Sequence, residues 1–217
     1  MLREKLKARW FWFARWICRV FCILFFRVRT CGRDNVPRKG AFIIVSNHQS
    51  YLDPIFCGGL IKRHSSFIAR DTLFTNWFFG PLISSVNAIP VKLGQPDISA
   101  MRKVLDRLKK GGGVTLFPEG TRTYDGKITP FKPGLGLLCR RGNATIVPVV
   151  IDGAFECWPR HKKLFTPGQI SVTYGKAITA QQVRDMGDEK LAELLTETLR
   201  KMQTESRIKQ GKKPYDY

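Results

Sequence analysis

From residue 41 onward, short apolar runs rich in Ile and Val alternate with stretches of helical character, and this alternation leaves few folds open to the chain. Strands are expected at Ala41 to Ser46, Ser66 to Arg70, Asn87 to Val91, Gly113 to Phe117, Thr145 to Ile151 and Gln169 to Tyr174. Helical patterns fall near 54–62, 72–84, 97–110, 133–141 and 187–206, the last placing Leu191, Leu194, Leu195, Leu199 and Met202 on one face. The pattern predicts an α/β fold, a single domain with a mixed, largely parallel β-sheet flanked by helices. A length of 217 residues suits one such domain. In sheets of this kind, functional loops lie beyond the carboxyl ends of the strands.

Ahead of this pattern, residues 10–26 (WFWFARWICRVFCILFF) hold eight aromatics, with Arg15 and Arg19 as their charges. That stretch sits at the short limit for crossing a hydrocarbon core of about 30 Å. On a helix Arg15 and Arg19 share a face, as in an amphipathic helix lying in the interface with its basic side toward lipid phosphates. Both flanks are basic: Arg3, Lys5, Lys7 and Arg9 before, Arg27, Arg29 and Arg33 after. Residues 1–31 are therefore expected to form an aromatic membrane-associating helix, lying on the cytoplasmic face or crossing as a single short span, and residues 32–217 the folded domain.

Thirty-seven Lys and Arg against 17 Asp and Glu give a formal net charge of +20. A positive surface of this strength attracts anionic lipid, phosphorylated metabolites or nucleic acid. Nucleic acid is the weakest of these partners, because the aromatics cluster in one apolar run instead of interleaving with bases, and no zinc-ligand spacing is present. The six cysteines form no CxxC pair, as expected of reduced thiols in a reducing compartment.

Two post-strand loops carry chemistry. Asn47-His48-Gln49-Ser50-Tyr51-Leu52-Asp53 follows the first strand, and Asp53-Pro54 reads as an N-cap with the first helical residue. A turn between His48 and Asp53 lets the carboxylate fold back onto one imidazole nitrogen and leave the other as a base. Phe117-Pro118-Glu119-Gly120-Thr121-Arg122-Thr123 follows the fourth strand. There Gly120 permits close backbone approach, Arg122 offers a planar fork for phosphate or carboxylate, and Glu119 is placed to hold that fork.

Together these loops resemble the motifs of the glycerolipid acyltransferase family that includes 1-acylglycerol-3-phosphate acyltransferase. Asn47, His48 and Asp53 match its Asn-His-x-x-x-x-Asp block, and Phe117 to Arg122 its Phe-Pro-Glu-Gly-Thr-Arg-Ser block, with Thr123 in place of Ser. Phe131-Lys132-Pro133-Gly134 and Ile146-Val147-Pro148-Val149 look like its later blocks. The middle block is matched loosely by Ala88 to Lys92, with Phe67 to Arg70 a second candidate, so Lys92 and Arg70 are both candidate substrate contacts. The resemblance covers roughly residues 32–175 and implies a glycerol-3-phosphate acyltransferase-like fold. It further implies that His48 deprotonates the acceptor hydroxyl, that Asp53 orients His48, and that Arg122 with Glu119, Gly120 and Thr121 holds the acceptor phosphate. The implied donor is acyl-CoA or acyl carrier protein, and the implied acceptor a lysophospholipid, 1-acylglycerol 3-phosphate first. Glycerol 3-phosphate and other lysophospholipids are the alternative acceptors. The thioester supplies the driving force, so neither a metal nor an organic cofactor is expected.

Overall fold

The computed structural model describes residues 2–77, 79–92 and 97–217; the side chains of residues 2–8, Phe11, Ala14, Arg15 and Phe79 lie outside the description. The strands are β1 (Phe26–Cys31), β2 (Phe42–Ser46), β3 (Ser65–Arg70), β4 (Ile89–Val91), β5 (Gly113–Leu116), β6 (Thr145–Asp152) and β7 (Gly168–Tyr174). The helices are α1 (Leu2–Phe25), α2 (Asp53–Gly59), α3 (Phe79–Ser85), α4 (Ile98–Lys109), α5 (Leu135–Gly142), α6 (Ala154–Cys157), α7 (Ala180–Arg184) and α8 (Asp188–Lys209). The seven strands form one sheet in the order β1-β7-β6-β2-β5-β3-β4. From β6 to β4 all neighbours are parallel; β7 runs antiparallel to β6, and β1 parallel to β7.

The centre of the sheet is β2, whose five residues are all buried, as a near-continuous apolar run requires when both faces are covered. Its side chains alternate between two cores. Ile43 and Val45 join Val104 and Leu108 of α4, Leu138 of α5 and Leu195 and Leu199 of α8. Phe42 and Ile44 join Phe56 and Cys57 of α2, Cys22 of α1, and Phe26, Val172 and Tyr174. Helices on both faces of a mixed, largely parallel sheet are the architecture the strand-helix alternation predicts.

The six expected strands are present with ends shifted by one or two residues. The region expected as one helix over 72–84 is instead a 3-10 turn (Asp71–Leu73) and α3, with Phe78 outside the described residues. Two short helices, α6 and α7, had not been expected.

The larger correction is at the N-terminal side. Residues 26–31, grouped by sequence with the membrane-associating helix, form edge strand β1 in register with β7, Phe26 opposite Gly168 and Cys31 opposite Thr173. Phe26 is 1% exposed. The alternation Phe26-Arg27-Val28-Arg29 is a period of two, a strand signal that the preceding aromatic run obscured. Arg19 also departs from expectation: its Nε donates to the Gly59 carbonyl at 3.4 Å, at the C-terminal end of α2, where the helix dipole favours a cation. That side of α1 faces the protein, not lipid phosphates, while the side chain of Arg15 is outside the description. The outward face is apolar, with Trp12, Phe13, Trp16, Ile17, Ile23 and Leu24 all exposed. Among the described residues no helix is long and apolar enough to cross a membrane.

Candidate active site

Register builds the site. In β2 and β5 each paired position differs by 71, Val45 standing opposite Leu116. Three residues further on the same offset pairs His48 with Glu119, and the His48 amide donates to Glu119 Oε1 at 2.8 Å. A second bridge ties the loops, from the Thr123 amide to the His48 carbonyl at 2.8 Å. On the other side β6 is held by Asn47, whose Nδ2 donates to the Ile151 carbonyl and whose Oδ1 accepts from the Ile151 amide, both at 2.8 Å. The His48 loop is thus clamped from both neighbouring strands.

Asp53 is the first residue of α2, with Pro54 following, and not its N-cap; the carboxylate turns back onto the loop before it. Its Oδ2 lies 2.7 Å from His48 Nδ1 and accepts from the Gln49 and Ser50 amides at 2.5 and 2.7 Å. Asp53 is 0% exposed, and its Oδ1 has no partner among the described residues. A carboxylate here fixes the proton on Nδ1 and leaves Nε2 as the free base. The imidazole lies against the Phe117 ring, centroids 4.3 Å apart and planes 20° apart, which sets its plane.

Glu119 does not clamp Arg122, as the sequence had suggested. Its Oε2 accepts from the Thr129 amide and hydroxyl at 3.4 and 3.3 Å, so both oxygens join loops. Burial pushes its carboxyl up to about 7, against the lowering effect of these bonds. Gly120 sits at φ 69°, a left-handed conformation that closes the turn from its own amide to the Phe117 carbonyl at 3.0 Å. Thr123, the variant position of the block, donates its hydroxyl to the Lys127 carbonyl at 2.9 Å and accepts the Gly126 amide at 3.1 Å. Its hydroxyl is used in folding the loop.

The guanidinium of Arg122 lies over the Tyr51 ring with Cζ 3.5 Å from the centroid, and its buried Nη1 has no partner among the described residues. The Tyr51 ring in turn contacts Trp158, 5.2 Å between centroids. Arg160 approaches the same turn, its Nη1 3.3 Å from both Thr121 Oγ1 and the Arg122 carbonyl. Tyr51, Phe117, Trp158 and Arg160 were not singled out by sequence; of these, the aromatics inside the two motif loops were the readable signal. Arg70 ends β3 and Lys92 follows β4, and Arg70 pairs with Val91 in the register. Both side chains are exposed at the carboxyl edge shared with His48 and Arg122, and neither bonds to those residues.

A buried carboxylate on a histidine, with an arginine on the neighbouring loop that has no ion-pair partner among the described residues, gives this α/β fold the groups for proton abstraction beside an anion. Residues 27–152 match the family model described as Acyltransferase, and the chain belongs to that family. It is 31% identical over 176 residues to the 1-acyl-sn-glycerol-3-phosphate acyltransferase of Pseudomonas aeruginosa, covering 79% of this chain and 66% of that protein. The Bacillus subtilis protein of the same name is 27% identical over 173 residues, 79% of this chain and 84% of its own. Among solved structures it is similar to the 1-acyl-sn-glycerophosphate acyltransferase PlsC of Thermotoga maritima, with a TM-score of 0.77 at 28% identity, over 94% of this chain and 82% of that one.

Proposed function

We propose that the protein transfers a fatty acyl chain from a thioester to the free hydroxyl of 1-acylglycerol 3-phosphate, giving phosphatidic acid. The observation that carries this reading is the 2.7 Å contact of His48 Nδ1 with buried Asp53, on a loop whose Tyr51 ring also lies under the Arg122 guanidinium. The names of the relatives support the acceptor.

In this scheme His48 Nε2 takes the proton of the acceptor hydroxyl, and the oxygen attacks the thioester carbonyl carbon. Asp53 stabilises the imidazolium that forms. The tetrahedral adduct collapses, the carbon–sulfur bond breaks, and the departing sulfur takes the proton back from His48. Protons balance without a covalent enzyme intermediate. The thioester carries the free energy, so the scheme needs neither a metal nor an organic cofactor. Arg122 binds the acceptor phosphate through its outward nitrogens, and the exposed bases Arg70 and Lys92 add to the positive potential along the same edge. The apolar outer face of α1 seats the enzyme on the membrane surface where its acceptor resides.

The test is release of free thiol from acyl-CoA, and from acyl carrier protein in parallel, with and without 1-acylglycerol 3-phosphate. Acceptor-dependent release that disappears in His48→Ala is expected. Release that ignores the acceptor identifies a thioesterase instead, and release only with another lysophospholipid or glycerol 3-phosphate reassigns the acceptor.

A further inference from the structure

Arg122 and Arg160 arrive at one turn from opposite sides of β2, the first after β5 and the second after β6 and α6. Each guanidinium lies over an aromatic ring, Arg122 over Tyr51 with Cζ 3.5 Å from the centroid and Arg160 over Tyr124 at 4.0 Å. One nitrogen of Arg160 is spent on Thr121 Oγ1 and the Arg122 carbonyl. Its remaining nitrogens have no protein partner among the described residues.

Among the described residues neither arginine has a carboxylate within ion-pair distance. The acids of this region are engaged elsewhere: Glu119 with His48 and Thr129, Asp53 with His48, Asp125 with the Thr123 hydroxyl and the Lys127 amide, and Asp152 and Glu156 with Arg207 and Lys212. Two cations that meet at a single turn, each placed over a ring, raise the positive potential there. Such a pair attracts an anion, and most strongly one that carries two charges. A phosphate monoester carries about −1.5 to −2 near neutral pH, whereas a phosphodiester headgroup carries only one.

We infer that Arg160 is the second cation of the acceptor phosphate site and sets its preference for a phosphate monoester over a phosphodiester. The inference rests on the proposed acyl transfer to a phosphorylated acceptor, whose hydroxyl His48 activates. Arg122 supplies a charge that either headgroup satisfies, and Arg160 supplies the one that only the monoester satisfies.

The experiment measures thiol release against acceptor concentration for 1-acylglycerol 3-phosphate and for 1-acylglycerophosphocholine of the same chain length, in wild type, Arg160→Gln and Arg160→Lys. Loss of one charge-assisted contact predicts that Arg160→Gln lowers kcat/KM for the monoester by about 10- to 100-fold, mainly through KM. The diester should change by less than about threefold on the same grounds, and Arg160→Lys should restore part of the monoester preference. An equal fall on both acceptors, or a fall in kcat at constant KM, makes Arg160 a brace for the turn and overturns the inference. Thermal stabilisation by glycerol 3-phosphate, compared in wild type and Arg160→Gln, reads the phosphate contact without turnover. A shift lost in the variant supports the inference even if the acyl-transfer reading fails, and an identical shift in both proteins overturns it.

Discussion

Asp53 concentrates its partners on one oxygen. Oδ2 faces the imidazole and two loop amides while Oδ1 is buried without a partner, an arrangement tolerable because three donors surround the negative charge. Asp53→Asn keeps the shape but removes that charge and points an amide at empty acceptor space. The expected result is a kcat lower by about two to four orders of magnitude with a folded protein, checked by thiol release and circular dichroism. Glu119 gives a second prediction, on stability. Its carboxyl rises from 4.5 unfolded to about 7 folded, so between those values the folded state holds more proton than the unfolded one. The Glu119 contribution is therefore fully present below pH 4.5 and is lost as pH climbs through 7. The stability difference between wild type and Glu119→Gln should shift against wild type across that window, by up to about 1.4 kcal/mol per pH unit, in denaturant titrations. A difference that stays flat with pH removes the buried titration. His48 and Asp53 were legible because their contact is local, five residues apart across the turn that leads into α2. The work of Glu119 was not, since it is set by strand register, and register is a property of two segments that one loop's sequence does not contain.

At the scale of elements, the 123–129 loop links the site to α8. The Gly126 carbonyl accepts from Gln49 Nε2 at 3.2 Å, one residue from His48, and from Gln203 Nε2 at 3.1 Å. Gln203 is 0% exposed and also receives the Tyr217 hydroxyl, which in turn accepts the Ile128 amide. Arg200 donates twice to the Ile128 carbonyl and lies over the Tyr217 ring. The amphipathic spacing of α8 was readable as a helix covering the sheet, but its polar buried residues were not, because Thr196 and Gln203 look like ordinary solvent-facing positions. Gln203→Leu strands the Tyr217 hydroxyl and half the hydrogen bonding of Gly126. It should cost about 1–3 kcal/mol, or several degrees in Tm, in thermal and denaturant melts. A change within about 0.5 kcal/mol, the usual range for surface positions, indicates that the loop is held without this glutamine.

On the whole molecule, the carboxyl ends of β2, β5 and β6 and the start of β1 share one edge, because β7 reverses direction and β1 follows it. The end of α1 and the site loops therefore come to the same side of the sheet. Phe165 packs on Phe21, Phe25 and Phe26, joining the 158–165 segment that bears Trp158 and Arg160 to the base of α1. Beside that junction Ile23 and Leu24 are 74% and 72% exposed and Leu164 is 80% exposed, with Arg27, Lys162 and Lys163 exposed around them. Apolar side chains rimmed by bases fit the boundary between acyl chains and anionic headgroups. A deletion reaching residue 30 would remove β1 and much of the Phe26 core with the helix, so it cannot report on docking alone. Substituting exposed positions does: Trp16→Glu, Ile23→Glu and Leu24→Glu together remove apolar area and add repulsion without touching either core. Flotation with vesicles containing phosphatidylglycerol should show at least about a tenfold loss of binding in this variant, from lost burial at roughly 25 cal/mol per Å² plus charge. Raising salt should weaken wild-type binding only in part, since screening acts on the bases and not on the buried apolar face. Equal flotation of the variant and wild type would place the membrane contact elsewhere on the molecule.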